Sequence, residues 1–381
     1  MGVLHKPGLA ILSILLLLTS VIYSAPTESL NQLYARDNLP DAIANWDVWQ
    51  KYTDYINKHK PKDIRTPDDV PFGNCKPQEG YCNSYVENCE EDRADKVEYH
   101  METKIGYSDG GDIWDGTMTS EGQKANVMIS NSTNYPGRIL QSAELQRLIK
   151  SPRVHGIDDW FYDIHRKTAY QIMPQIPGDM LGVPDTAKEL AKDPSKVNQA
   201  IIQVLEGVQA IHRTKVNRYA IWHGNLTLYN VLDMGDDQYQ LWFFHTATSE
   251  PSSTDYWIGK PGHMAPEKVK LQPFGRKVDW WAVMWMWLQL SYYDQLSDET
   301  KLLDLWKALV GEGTKLLTPD ETRDVLRKKI PDLAKDDDEN KDKVNLAAIS
   351  LCGDPKERAS VGEALRKLKA LKIATAKRPA N

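Results

Sequence analysis

The sequence lacks a strong excess of either charge, an internal repeat and, beyond its first residues, a long apolar run. Lys and Arg number 47 against 53 Asp and Glu, and basic residues cluster only at 366–378, so we expect no nucleic-acid binding. No later stretch of about 18 apolar residues occurs, so we expect no membrane span in the mature protein. The absence of repeats argues against a solenoid.

The N-terminus has the pattern of a secretory signal peptide. His5 and Lys6 precede an apolar run over residues 9–23, and the small residue Ser24 follows. The run is short for a permanent membrane helix. We therefore predict removal of residues 1–24 and secretion of the mature protein. An uncleaved signal anchor is the alternative.

Four cysteines are present, three of them close together and one far downstream. An even number in a secreted chain predicts two disulfides. Any full pairing joins the N-terminal segment to the C-terminal part, and three connectivities remain open. A zinc site is the weaker alternative, because no further histidine or cysteine stands near the cluster at finger-like spacing. The cysteines are Cys75, Cys82, Cys89 and Cys352.

Residues 25–96 form an extension in front of the main folded body. Apolar residues at helical spacing over 39–56, among them Trp46 and Trp49, predict an amphipathic helix. The stretch 61–91 is rich in Pro, Gly and Cys, which predicts a disulfide-stapled loop. Strand-like runs follow, and helical patterns dominate from Val197 onward. A mostly β part followed by a mostly α part predicts two unlike lobes.

The second half carries four short motifs that together resemble those of protein kinases. Residues 221–232 are similar to the kinase catalytic loop, where a His-Arg-Asp-Leu sequence precedes an Asn; His223 and Asn230 stand in register. Residues 264–267 read Met-Ala-Pro-Glu, like the end of a kinase activation segment. Asp279 opens a segment like the long helix of the C-lobe, and residues 354–358 resemble a late Asp-Pro-x-x-Arg. Four motifs in the right order are far more specific than any one of them.

The same register extends into the first half. Gly106, Ser108 and Gly111 resemble the glycine-rich loop, with the middle glycine replaced. Ser130 falls where kinases have the lysine of Val-Ala-Ile-Lys, and Glu144 falls where the helix after that strand carries its glutamate. On its own this half is a weak signal.

The resemblance covers about residues 97–375. It implies an α+β, bilobal protein kinase-like fold, with a smaller β-rich N-lobe over about 97–173 and a larger helical C-lobe over about 178–375. The extension would then be a helical and disulfide-stapled addition to this fold.

The resemblance also implies that the catalytic charges are missing. Phosphoryl transfer needs a lysine on the phosphates, an aspartate on magnesium and an aspartate that accepts the hydroxyl proton. Their positions hold Ser130, Phe243 and Asn225. Glu144, His223 and Asn230 are kept, but one neutral Asn oxygen holds a metal poorly. We therefore predict a pseudokinase without cofactor or metal, whose ATP binding is weak or absent.

Residues that hold the fold of the family are present. Glu267 and Arg358 are expected to form a buried ion pair, and Asp279 is expected to tie the catalytic loop to the C-lobe helix. Two Asn-x-Ser/Thr sequons occur. We predict glycosylation at Asn131, and we predict that Asn225 stays bare because a glycan in the catalytic loop would obstruct folding.

Three functions are compatible with these residues. The first is a secreted, catalytically inactive protein that binds another protein, as an effector or an allosteric regulator. The alternatives are a divergent enzyme for atypical phosphoryl or nucleotidyl transfer, and a nucleotide or small-molecule binder. The loss of all three catalytic charges favours the first, since a fold by itself does not imply activity.

Overall fold

A computed structural model describes residues 97–376 except 109–110, 121, 134–135, 164–167, 217, 254–261, 271 and 312–314. The predicted signal peptide, the N-terminal extension and the cysteines Cys75, Cys82 and Cys89 lie outside the described residues. Within the part that is described, no helix has the length and apolar character needed to cross a membrane.

The N-terminal part is a five-stranded antiparallel sheet with the strand order β1-β2-β3-β5-β4. One helix, α1, lies between β3 and β4 in sequence and packs on β3, β4 and β5. The alternation of β3 puts Val127 and Ile129 on one face of the sheet and Met128 and Ser130 on the other. The elements are β1 Val97–Ser108, β2 Gly111–Ser120, β3 Gln123–Ser132, α1 Pro136–Leu148, β4 Asp159–Asp163 and β5 Thr168–Pro174.

The sheet curls until its two edge strands meet. Tyr99 on β1 donates a hydrogen bond of 2.7 Å to Asp159 Oδ2 on β4. Its ring stacks on Phe161 with centroids 5.7 Å apart, and Phe161 stacks on Tyr170 at 4.9 Å. The concave face therefore holds a core of its own, made of aromatic and β-branched side chains that favour a pleated, half-enclosed surface.

The C-terminal part is helical and is organised around α5. Every residue from Val278 to Leu290 on this helix is buried, because α3 and α9 pack against it. The Asp193 side chain caps the N-terminus of α3 by accepting from the Ser195 and Lys196 amides. The helices are α2 Pro184–Ala191, α3 Pro194–Arg213, α4 Pro266–Val269, α5 Lys277–Ser291, α6 Tyr293–Leu296, α7 Glu299–Val310, α8 Pro319–Lys329, α9 Asp338–Leu351 and α10 Val361–Ala376.

Short elements complete the C-terminal part and line the junction with the sheet. Two hairpins follow α3, and 3₁₀ turns precede β8 and α9. The structure confirms the expected α+β architecture, with a smaller β-rich part followed by a larger helical part. The strands are β6 Lys215–Val216, β7 Tyr219–Ala220, β8 Val231–Asp233 and β9 Tyr239–Leu241, and the turns are Leu228–Asn230 and Pro331–Ala334.

Arg358 and Glu267 form a buried ion pair at the base of the helical part. Two parallel hydrogen bonds of 2.8 Å join Arg358 to the Glu267 carboxylate, and both side chains are almost fully shielded from solvent. Arg358 also donates to the carbonyls of Cys352 and Lys277. The guanidinium thus joins α4, the start of α5 and the loop after α9.

Cys352 is buried and is a free thiol within the part of the chain that the structure describes. Its Sγ lies 3.7 Å from the Ile349 carbonyl oxygen and 3.5 Å from that of Asp354. Burial raises the pKa of this thiol to about 11, which makes it a poor nucleophile. Because Cys75, Cys82 and Cys89 lie outside the described residues, the pairing of Cys352 with one of them stays a prediction.

Replacing Arg358 with Met should lower the free energy of unfolding by about 3–5 kcal/mol, because the Glu267 carboxylate stays buried without its partner. Urea unfolding followed by tryptophan fluorescence measures the effect. Arg323→Met is the matched control, since the Arg323–Asp320 pair is largely exposed and should contribute about 0.2–1 kcal/mol. An Arg358→Met loss as small as that of the control would contradict the interpretation.

Candidate functional site

The loop between β7 and β8 lies at the junction of the two parts, and Asp279 fixes its backbone. This carboxylate accepts from the His223 and Gly224 amides at 2.7 Å each and lies 2.9 Å from His212 Nε2. Burial alone would raise the pKa of Asp279, but the hydrogen bond and charge of His212 and the hydrogen bond from the His223 amide hold that pKa below its usual range. The residues of the predicted catalytic loop are thereby held against the first turn of α5.

The His223 side chain is buried beside Asp279 and acts through packing contacts rather than through charge. Its ring lies 4.9 Å from that of Phe244, and Nε2 lies 3.2 Å from the Trp242 carbonyl oxygen. Burial lowers the pKa of His223. The ring therefore links the loop to the strand end after β9 as an uncharged, packed side chain.

Gly224 occupies the position of the family's arginine and adopts a conformation that suits glycine. Its φ is +83°, and a Cβ there would lie 3.1 Å from the Thr246 carbonyl oxygen and 3.2 Å from the Trp222 ring. A left-handed conformation costs other residues about 1–2 kcal/mol. Restoring an arginine here would therefore strain the loop.

Asn225 occupies the position of the proton acceptor. It lines a small pocket together with Leu226, Met264 and Lys268, and no described residue of that lining carries a carboxylate. The buried Lys268 ammonium donates to the Gly224 carbonyl oxygen at 3.2 Å and lies over the Phe274 ring. His263 also lines the pocket, so the described lining offers amide, ammonium and imidazole groups and no carboxylate.

Asn230 is committed to the structure of the loop. Its Oδ1 accepts from the Thr227 amide at 2.8 Å and from the Thr227 hydroxyl at 2.9 Å, and the side chain is buried. Oδ1 is the atom that would face a magnesium ion, so this oxygen is already occupied. Among the described residues, no group of three His, Cys, Asp or Glu side chains is arranged to hold a metal.

Phe243 stands in the position of the metal-binding aspartate, in a left-handed conformation with φ of +70°. Its ring lies 4.1 Å from that of His245 and 5.2 Å from that of Trp242. Aromatic rings in edge-to-face and tilted contact thus stand at the position where kinases have a carboxylate that holds a cation between phosphates.

The cleft between the two parts is filled by a buried apolar cluster, which we call the cleft cluster. Side chains from β2, β3 and β5 meet side chains from β8 and from the residue after β9. The Trp242 indole donates to the Tyr229 carbonyl oxygen at 2.8 Å, which fixes the ring in place. The cluster therefore joins the sheet to the helical part through apolar contacts. Its members are Ile113, Met128, Met173, Leu232 and Trp242.

Met128 is the member of the cleft cluster that sequence reasoning missed. It stands where the Val-Ala-Ile-Lys motif has its small alanine, and it is 1% exposed. The sequence shows a long apolar residue at a position where the motif has a small one, and this difference could have identified Met128 as a residue that fills the cleft. A methionine fills irregular gaps because its side chain is unbranched and flexible.

Ser130 and Glu144 do not lie face to face. Ser130 is fully buried opposite Gln171 on β5, and its hydroxyl has no hydrogen-bond partner among the described residues. Glu144 instead pairs with Arg147 on its own helix at 2.9 Å and is about a third exposed. The assignment of Glu144 to the family's glutamate position stays a prediction, and its carboxylate pairs within α1 instead of with the sheet.

Neutral side chains form the hydrogen bonds between α1 and the sheet. Gln171 donates to Gln146 Oε1 at 3.0 Å and accepts from the Ser142 hydroxyl at 3.5 Å. His245 Nε2 lies 3.3 Å from the same Gln171 oxygen. These buried amides hold α1 on the sheet without a cation that could reach a phosphate.

The glycine-rich segment joins β1 to β2. Ser108 pairs with Gly111 and Gly106 pairs with Ile113 in the ladder. Next to this turn, Lys104 forms an ion pair of 2.7 Å with Asp112. The positive charge nearest the loop on β1 is therefore already matched by a carboxylate.

Asn131, the predicted glycosylation site, lies within β3. It pairs with Asp112 on β2 and with Tyr170 on β5, and its Nδ2 lies 3.6 Å from Met101 Sδ. A glycan on this half-buried amide would have to displace Met101. The structure thus puts the sequon in a ladder rather than in a loop.

Comparison with known proteins agrees with this geometry. The family model of the protein kinase domain matches residues 99–368. Proteins named CaM kinase-like vesicle-associated protein are similar over shorter stretches. The Xenopus laevis protein is 37% identical over 117 residues, 28% of this chain and 29% of that protein. The Homo sapiens protein is 28% identical over 160 residues, 40% of this chain and 30% of that protein. The chain therefore spans less than a third of the length of these relatives.

Replacing Met128 with Ala should lower the free energy of unfolding by about 2–5 kcal/mol, because it leaves a cavity in the cleft cluster between the two parts. Chemical denaturation measures the loss. Met101→Ala is the control, since Met101 is only partly buried on β1 and should cost less. Equal losses for the two variants would show that the cleft is not packed as described.

Proposed function

The chain belongs to the protein kinase domain family, and we propose that it is a secreted pseudokinase that acts by binding another protein. The observation that carries this proposal is the cleft cluster, in which Met128 and Trp242 pack where a nucleotide would have to enter. The support for secretion is the signal-like sequence of residues 1–24.

Each requirement of phosphoryl transfer lacks a side chain that could meet it. Ser130 offers a buried hydroxyl in place of a phosphate-binding cation. Asn225 offers an amide in place of a proton acceptor, and Phe243 offers an aromatic ring in place of a metal ligand. Catalysis of this reaction is mostly positioning and electrostatic stabilisation. Without these charges, the site cannot provide the electrostatic stabilisation that lowers the activation barrier of phosphoryl transfer.

The groups that hold the scaffold are present in full. Asp279 orders the loop backbone, and the Glu267–Arg358 pair joins three segments of the helical part. Removing one partner of such a buried pair is costly. The presence of both partners therefore supports a stably folded kinase-like domain. A rigid body that keeps its shape and lacks its chemistry suits a protein-binding role as an effector or allosteric regulator.

The relatives share the kinase-like part and carry the words vesicle-associated in their name. Because the match covers under a third of those proteins, we carry no vesicle association over to this chain. The proposed partner is another protein. Atypical phosphoryl or nucleotidyl transfer, and binding of a nucleotide or small molecule, are the outcomes that would replace this proposal.

We predict that the secreted protein transfers no phosphate from ATP to itself or to a generic protein substrate. Asn225→Asp alone should also be inactive, because the cation and the metal ligand stay absent and the cleft cluster stays closed. A radiolabel transfer assay with magnesium and with manganese measures this, with Asn230→Ala as the background control.

Transfer above that background by the unmodified protein, lost on Asn230→Ala, would establish an enzyme and overturn the pseudokinase. Activity gained on Asn225→Asp would show that the remaining groups of the site suffice once a proton acceptor is present.

A further inference from the structure

The small pocket beside Asn225, which we call the loop pocket, lies between the catalytic-loop position and the helical part. Its described walls come from the loop between β7 and β8, from the segment before α4, from α4 itself and from α5. The cavity measures about 10 Å³, which is the room that one water-sized group needs. The loop pocket can therefore take the end of one small side chain, and it is too small for a nucleotide.

Lys268 brings a positive charge to the wall of the loop pocket. The residue is 2% exposed, and its ammonium donates to the Gly224 carbonyl oxygen at 3.2 Å. The ammonium also lies 4.9 Å from the centroid of the Phe274 ring, and the face of an aromatic ring attracts a cation. These contacts hold the charge between α4 and the loop.

The other polar side chains of the described wall are neutral or can donate hydrogen bonds. Asn225 offers an amide with two N–H donors, and the His263 ring has at least one N–H. Protein kinases have an aspartate at the position of Asn225, which would repel an acidic ligand. An acidic group that approaches this loop therefore meets an amide and an ammonium instead of a carboxylate.

The two carboxylates next to the wall in sequence are directed to other partners. Glu267 is bound by Arg358 through two hydrogen bonds of 2.8 Å. Asp279 accepts from two successive backbone amides of the loop at 2.7 Å each. Neither residue belongs to the described wall of the loop pocket. The described wall thus combines a positive charge with hydrogen-bond donors, which is the environment that an anion requires.

We propose that the loop pocket receives a carboxylate of the partner protein, from an aspartate or glutamate side chain that the partner presents to the loop. The inference rests on the proposed protein-binding function and names the chemistry of the partner at this site. A carboxylate oxygen fits a space for one water-sized group, whereas a tetrahedral phosphate needs more room. In the complex the carboxylate accepts from Lys268 and Asn225, because hydrogen bonds between charged groups are the stronger ones.

A buried lysine can also have a purely structural role, here that of joining α4 to the loop. Removing a structural lysine would change the stability of the protein. It would not change the preference of the pocket for an acid over the matching amide. This preference is therefore the property that separates the two roles of Lys268.

The test uses N-acetyl-aspartate methylamide as the acidic probe and N-acetyl-asparagine methylamide as its neutral match. Met264 lines the loop pocket, so carbon-13 labelling of the methionine methyl groups in the full-length protein provides a local signal. That signal is assigned by its loss in Met264→Leu. NMR titration gives both dissociation constants. We expect the acidic probe to bind about tenfold more tightly, as when a charged hydrogen bond replaces a neutral one.

Three variants assign the preference to the wall of the loop pocket. Lys268→Met should abolish it, because the positive charge is removed. Lys270→Met is the matched control and should keep the preference, since Lys270 lies outside the described wall and donates to the Gly311 carbonyl oxygen. Asn225→Asp should abolish it as well, because it adds a carboxylate to the wall. If Lys268→Met does not fold, Asn225→Asp decides.

Equal dissociation constants for the two probes, or no change of the Met264 signal with either probe, would overturn the proposal. A preference for the acidic probe that survives Lys268→Met or Asn225→Asp would overturn it as well. Such results would leave the protein-binding function to another surface of the molecule. Phosphate transfer in the radiolabel assay would instead replace the proposed function itself, whichever probe the loop pocket prefers.

Discussion

The buried carboxylate of Asp279 is the constraint on which the site depends. One side chain on the central helix holds two successive backbone amides of the loop and touches His212 at the end of α3. The desolvation cost of a buried carboxylate is offset only when its oxygens are hydrogen-bonded. The loop conformation, including the left-handed Gly224, follows from satisfying this charge. Asn225 and Asn230 lie on that loop, and its His223 contacts the segment after β9 that carries Phe243.

The cleft holds the side chains on which the proposed loss of phosphoryl transfer rests. The apolar Phe243 stands at the position of the metal-binding aspartate, Met128 stands at that of a small alanine, and Gln171 and Gln146 form a neutral hydrogen bond. Each replacement stabilises the closed arrangement, since apolar burial and satisfied amides both favour the folded state. Restoring a single catalytic residue of the family is therefore unfavourable, because the neighbouring side chains pack around the residue that stands there now.

Sequence reasoning reached the architecture, since periodicity and motif order are local properties of the chain. It also located Asp279, Glu267 and Arg358 by register. The direction in which Glu144 points could not be foreseen, because the rotation of α1 on the sheet depends on which face packs and not on sequence distance. The burial of Cys352 could not be foreseen either, since a count of cysteines carries no information on burial. The hydrogen bonds of Gln171 with Gln146 and Ser142 form only through the tertiary fold.

Titration of the unmodified protein with ATP, with and without magnesium or manganese, tests the central claim most directly. We propose that the cleft cluster occupies the nucleotide position, so we expect no change in the unfolding transition at any accessible ATP concentration. A metal-dependent stabilisation would contradict it. A gain of about 2.7 kcal/mol, for example, corresponds to ligand at about 100 times its dissociation constant and would show that the cleft opens to nucleotide.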